Sequence, residues 1–126
     1  MSQKILIVDD EDHLRMLIEQ TLEDLEDEGV ELLTASNGQE ALDMIIDEKP
    51  DLVFLDVMMP KMNGIEVCRK VKQELKLNDV FIIILTAKGQ ELDKQKGKDV
   101  DADVYMTKPF DPDDLLDKAR EVLNLQ

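Results

Sequence analysis

Five side chains have types and spacing that could do chemistry together: Asp9, Asp10, Asp56, Thr86 and Lys108. Each stands at the end of a strand-like stretch: Ile5 to Val8, Leu52 to Leu55, Val80 to Leu85 and Asp103 to Thr107. Short apolar runs of this kind read as strands buried on both faces. If the strands are parallel, their carboxyl ends share one edge, which is where open α/β sheets keep their sites. Three carboxylates brought together repel one another and cannot all stay ionised without compensation. A hard divalent cation can supply it, and Mg2+ typically takes one or two carboxylates while keeping several waters. Lys108 adds a second positive charge, and Thr86 a hydroxyl. That set suits phosphoryl transfer to a carboxylate. The cation and the ammonium neutralise the phosphoryl oxygens while Asp56 attacks in line. Taken singly, Asp56 reads equally well as a helix cap or a solvated strand end. In the acidic run Asp9-Asp10-Glu11-Asp12, Asp12 can cap the next helix. Asp9 and Asp10, at the strand end itself, are better explained by a cation.

The elements that must position these groups follow from hydrophobic spacing. After the first strand, Leu14, Leu17, Ile18, Thr21, Leu22 and Leu25 recur at helical intervals, with Gly29 as the stop. Val30 to Ala35 is a less apolar strand, nearer an edge. Asn37 caps a second helix, with Glu40 three residues on, and Ala41, Leu42, Ile45 and Ile46 form its buried face. Pro50 leads into the central strand. Pro60 prevents that strand's ladder from continuing, and Asn63-Gly64 marks a turn. A third helix carries Ile65, Val67, Cys68, Val71 and Leu75. A fourth, over 88–100, has only Leu92 and Val100 as strong apolar anchors and contains Gly89 and Gly97. With so little to bury it is either a solvated surface helix or a movable one. Asp111-Pro112 opens the final helix, whose stripe is Leu115, Leu116, Ala119, Val122 and Leu123. Five strands alternating with five helices predict one α/β domain over 1–126. Its core is a doubly wound, five-stranded parallel sheet with helices on both faces.

Composition narrows the partners. The 126 residues carry a net charge of −15, which argues against direct binding of nucleic acid or an anionic membrane. A basic protein surface or a cation is compatible. The single cysteine, Cys68, cannot form an internal disulfide and falls among core positions, so it reads as a buried structural thiol. The single histidine, His13, reads as a surface residue, since no second histidine exists to build a soft-metal site. The opening residues lack a signal-peptide pattern, and no apolar run is long enough to span a bilayer. A cytoplasmic location is expected.

The chain resembles the receiver domain of two-component response regulators, the chemotaxis-regulator-like family. The carriers are Val8-Asp9-Asp10-Glu11, Leu55-Asp56-Val57-Met58-Met59-Pro60 with Asn63-Gly64, Leu85-Thr86-Ala87, and Thr107-Lys108-Pro109-Phe110. The resemblance implies the flavodoxin-like strand order 2-1-3-4-5. It implies that Asp56 is the phosphoacceptor, receiving its phosphoryl group from a histidine kinase or phosphotransfer protein. It implies Mg2+ held by Asp10, Asp56 and the backbone carbonyl of Met58, with Asp9 helping through water. Thr86 and Lys108 would hold the phosphoryl group, and the Lys108–Pro109 bond would be cis. Thr86 and Tyr105 would be the switch pair, acting on an output face made of the fourth helix, fifth strand and fifth helix. That face would address a downstream protein target or an output domain. Met58 and Lys88 sit where phosphoryl lifetime is tuned. The chain would then not be a turnover enzyme.

Two positions depart from the family pattern. Val104 stands where the winged-helix transcription-factor subfamily usually has an acid for dimer salt bridges, so a dimer of that type is less favoured. Asp101-Ala102-Asp103 stands where the family often has Gly-Ala-Asp, which bears on the local turn and not on the chemistry. Three rival readings are weaker. A haloacid-dehalogenase-type phosphatase needs an acid two residues after its nucleophile, and that residue is Met58. A flavodoxin needs a phosphate loop after the first strand, and Asp9 to Asp12 would repel a phosphate. A receiver-like module that is never phosphorylated would not call for the complete residue set.

Overall fold

The apolar runs form β1 (Gln3–Val8), β2 (Val30–Ala35), β3 (Leu52–Asp56), β4 (Phe81–Ala87) and β5 (Val104–Lys108). The helices between and after them are α1 (Asp12–Glu26), α2 (Gly38–Glu48), α3 (Gly64–Arg69) and the C-terminal α4 (Pro112–Leu123). These elements come from a computed structural model that describes residues 3–59, 61–87, 101–108 and 111–125. All strand pairings are parallel and the order is β2-β1-β3-β4-β5. The expected sheet is therefore the observed one. The helix expected over 88–100, with Lys88, lies outside the described residues, as do Pro60 and the Lys108–Pro109 bond.

Alternation along the strands divides the core in two. Leu6, Val8, Val53, Leu55, Ile82 and Ile84 face one way, against Ala41, Leu42 and Ile45 of α2 and Val67 and Cys68 of α3. Ile5, Ile7, Leu52, Phe54, Ile83 and Leu85 face the other way, against α1 and α4. Central strands buried on both sides need unbroken apolar runs, and that is why β1, β3 and β4 show no polar alternation. Cys68 is fully buried, and burial pushes its thiol up to about 12. It is a structural thiol, as expected.

Helix starts follow local chemistry. Asn37 and Asn63 cap α2 and α3, each side-chain oxygen accepting the N–H three residues on, from Glu40 and Glu66 at 2.9 Å. Asp111 caps α4, accepting from the Asp113 N–H at 2.8 Å, with Pro112 in the first turn. Asp12 does not cap α1. Glu11 holds that position without a side-chain bond, and Asp12 is the first helical residue, ion-paired with Arg15.

Three apolar residues expected in the core are on the surface: Leu17, Ile46 and Leu75. Leu17 and Ile46 sit one residue from the true stripes, Ile18-Leu22-Leu25 and Ala41-Leu42-Ile45, and one residue turns a helix by about 100°. Leu75 has a different cause. After α3 the chain continues as a π-helical turn, Lys70–Glu74, in which the Leu75 N–H reaches back five residues to the Lys70 carbonyl. The wider turn rotates Leu75 outward and Lys72 inward. The Lys72 ammonium donates to the Val80 carbonyl at 2.6 Å and pairs with Asp103 at 2.8 Å. Asp103 also accepts the Ile82 N–H, so this pair ties the end of α3 to the start of β4 and the approach to β5. Asp101 has φ +66°, a left-handed conformation favourable to glycine, which gives the physical reason for glycine at that place in the family pattern.

Phe54→Ala should cost about 3–5 kcal/mol, the range for truncating a buried aromatic, whereas Asn37→Ala should cost about 1 kcal/mol. Urea unfolding midpoints measure both, and equal losses would contradict the ranking of packing over capping.

Candidate functional site

Strand register carries the site. Val8 pairs with Leu55, Asp56 with Leu85, and Ala87 with Lys108. Asp9 therefore stands level with Asp56, and its N–H extends the β1 ladder by donating to the Ala35 carbonyl at 3.2 Å. Period-2 alternation then turns Asp9, Asp56 and Lys108 toward the face shared by α1 and α4, while Thr86 turns to the other. The Lys108 ammonium lies 3.0 Å from Asp56 and 3.3 Å from Asp9. Asp9 is fully buried and Asp56 is 5% exposed. Asp10, one residue on, is exposed. All three acids nonetheless offer carboxylate oxygens within 4.8 Å of one another.

Asp9 is fixed from several sides. Its carboxylate accepts the Glu11 N–H at 2.9 Å, and its backbone carbonyl accepts from Arg15 at 2.7 Å. Nothing in the residue pattern pointed to Arg15. Asp56 is held by less. Its carboxyl is pushed up to about 6, chiefly by burial and further by the charges of Asp9 and Asp10, with the Lys108 hydrogen bond opposing. Lys108 moves the other way from a simple buried amine. Burial pulls its pKa down, but the bond to Asp56 and the charges of Asp56 and Asp9 outweigh that and leave it above its ordinary value. It is fully charged at neutral pH.

Thr86 is 1% exposed, and its hydroxyl has no hydrogen-bond partner among the described residues. A buried hydroxyl left without a partner is costly. A threonine β-carbon with an apolar substituent would have filled the same space, so the orphaned oxygen fits a site that takes a polar ligand. The donor set fits a hard divalent ion: carboxylate oxygens from Asp9, Asp10 and Asp56, with no cysteine or histidine in the cluster among the described residues. Met58 is exposed, at the start of the loop after β3. Tyr105 is half-buried on β5, two residues before Thr107, with its hydroxyl out of solvent. It packs against the α2–α3 side of the core. His13 is exposed and takes no part in the site.

Residues 5–120 match the family described as the response regulator receiver domain. The chain belongs to that family. These are the receiver domains of two-component signalling proteins, which work with histidine kinases and are not turnover enzymes, and they generally bind Mg2+ at an acidic pocket. The chain is 45% identical, over 98% of its length, to the alkaline phosphatase synthesis transcriptional regulatory protein PhoP of Bacillus subtilis, covering 49% of that protein. It is 46% identical, over 98% of its length, to the phosphate regulon transcriptional regulatory protein PhoB of Pseudomonas aeruginosa, covering 52% of it. This receiver thus spans about half the length of the curated relatives it matches. Among solved structures, the chemotaxis response regulator CheY4 of Vibrio cholerae is similar at 34% identity and a TM-score of 0.82. That match covers 97% of this chain and 99% of that one.

The raised Asp56 pKa gives a sign. Between about 3.8 and about 6 the folded receiver holds the Asp56 proton more tightly than the unfolded chain does. Stability from this group is therefore lost as pH rises through that window. The full penalty, up to about 3 kcal/mol at 1.36 kcal/mol per pKa unit, stands above pH 6 and is absent below 3.8. Asp56→Asn should accordingly stabilise the metal-free protein at pH 8, and the gain should vanish toward pH 3.8. Paired thermal melts in a chelating buffer measure this, and a gain independent of pH would contradict it.

Proposed function

We propose that this receiver takes a phosphoryl group on Asp56 from a phosphohistidine on a histidine kinase or phosphotransfer protein, with Mg2+ as cofactor. The observation that carries the reading is the Lys108 ammonium bridging Asp56 and Asp9, with the buried Thr86 hydroxyl at the end of the adjoining strand lacking a partner among the described residues. In the reaction, an Asp56 carboxylate oxygen attacks phosphorus as the phosphorus–nitrogen bond breaks and the imidazole leaves. Asp9, Asp10 and Asp56, with the backbone carbonyl of Met58, are the residues that would hold the metal. When bound, Mg2+ supplies positive charge to the phosphoryl oxygens and relieves the carboxylate repulsion. Lys108 gives up its bond to Asp56 and pairs with a phosphoryl oxygen. Thr86 turns its hydroxyl to another. The raised pKa of Asp56 also means that its carboxylate is poorly solvated, which favours an attacking oxygen over a hydrated one.

The same Thr86 movement is the proposed switch. It vacates space on the α2–α3 side of the sheet, the side where Tyr105 packs, and lets Tyr105 turn further inward. The output face would comprise β5, the C-terminal helix and the segment over 88–100, and it would address a downstream protein or an attached output domain. The transcriptional regulators among the relatives make an output in gene expression a natural reading. With the net charge of −15, this domain would act by protein contact and not by touching DNA itself. A cytoplasmic setting agrees with this role. No helix among the described residues is long and apolar enough to cross a membrane.

Intact mass after incubation with a small phosphodonor tests the chemistry. One phosphoryl adduct is expected, abolished by Asp56→Asn or by chelation of Mg2+, and strongly slowed in Lys108→Ala and Thr86→Ala. No adduct on folded wild-type protein would overturn the proposal and favour an unphosphorylated interaction module. Lys88 and Met58 should tune the lifetime of the adduct, so Lys88→Ala should change the dephosphorylation rate. An unchanged rate would remove Lys88 from that role.

A further inference from the structure

Two glycines crowd the loop that follows β3. Asn37-Gly38 and Asn63-Gly64 are the same local device, an asparagine cap followed by glycine as the first helical residue. Neither glycine has a positive φ, so backbone freedom does not explain them. Space does. A Cβ on Gly64 would lie 2.2 Å from the backbone oxygen of Asp56, and one on Gly38 would lie 1.8 Å from the backbone oxygen of Met62 and 2.6 Å from its carbonyl carbon. Side chains could give way at such distances, but backbone cannot without moving the loop.

That loop carries Met58. The Met58 side chain is 62% exposed, so the loop is not held there by its own side chain. It is held at its ends. Val57 is buried, its N–H donates to the Leu85 carbonyl at 3.3 Å, and its carbonyl accepts the Gly64 N–H at 3.0 Å. At the far end, Met62 rests on Gly38 of a different helix. Lys61 adjoins that contact in a left-handed conformation, φ +69°, which is uncommon for a non-glycine residue.

We infer that Gly38 is a positioning residue for the divalent-cation site: its bare Cα lets α2 seat directly on the Met62 carbonyl, and that contact fixes the loop whose Met58 carbonyl is the backbone ligand proposed above. The role rests on the Mg2+ reading above. Gly38 touches neither metal nor substrate. It acts at a distance, as partners of metal ligands do when they orient the ligand group.

Gly38→Ala is the test, and helix propensity works in its favour because alanine is the better helix former. Any loss therefore comes from the contact with Met62. Titration calorimetry with MgCl2 should show affinity weakened about tenfold, the lower end for disturbing a ligand's support. In Mg2+-free protein, exchange of the Gly64 amide proton should quicken, because the loop that receives its hydrogen bond has shifted. Leu42→Ala, in the same helix but away from the loop, should lower the urea midpoint and leave Mg2+ affinity unchanged. Unchanged affinity together with unchanged Gly64 exchange in Gly38→Ala overturns the inference. If wild-type protein binds no Mg2+, the cation reading fails by itself, and Gly64 exchange alone decides whether Gly38 positions the loop. Should Gly38→Ala not fold, native-state exchange on wild type decides. The Glu40 and Gly64 amide protons, on the two sides of the contact, should open together, and independent opening overturns the inference.

Discussion

The contact on which the site depends is the Lys108 ammonium set between Asp56 and Asp9. Two nearly buried carboxylates side by side would ordinarily force one to take up a proton. The ammonium opposes this only in part, and Asp56 remains raised to about 6. The site is thus held under electrostatic tension, with one positive charge answering three negative ones. A fold arranged for stability alone would place apolar residues here, since buried ion clusters seldom stabilise as well as packed hydrocarbon. The arrangement suits the proposed phosphoacceptor role, in which a dication and a phosphoryl group would each redistribute those charges.

Everything else in the molecule serves to bring four strand ends to one place. The parallel sheet does so because all its strands run the same way. Apolar runs on both faces make the central strands rigid, with α2 and α3 packed on one side and α1 and α4 on the other. At the opposite edge, Lys72 and Asp103 fasten α3 to the approach of β5, which in turn sets the register that delivers Lys108 beside Asp56. The charged cluster lies at one edge of the sheet, and the apolar core fills the space away from it.

Much of this was legible from residue types. Strand ends announce themselves when an apolar run stops at Asp9, Asp56 or Thr86, and the caps at Asn37, Asn63 and Asp111 follow from local hydrogen-bond chemistry. The errors have separate physical causes. Leu17 and Ile46 look like core because periodicity tells which residues could be buried and not how wide a stripe the neighbouring layer covers. Asp12 looks like a cap because the residue type is right, yet the chain enters α1 one residue earlier. Leu75 was misplaced by a π-helical turn, which shifts the helix phase without leaving a mark in composition.

Residue pattern alone sets the fold class and gathers the five polar groups at one sheet edge, and the family resemblance adds the strand order, because strand formation and the direction of parallel crossovers follow local pattern. How those groups meet is a matter of three-dimensional packing. Which carboxylate Lys108 approaches, that the Thr86 hydroxyl is buried without a partner among the described residues, and that Gly38 must be bare to admit Met62 all depend on contacts between residues distant in the chain. Such contacts are fixed by packing in three dimensions, where a few tenths of an ångström separate a fit from a collision, and no one-dimensional pattern carries that information.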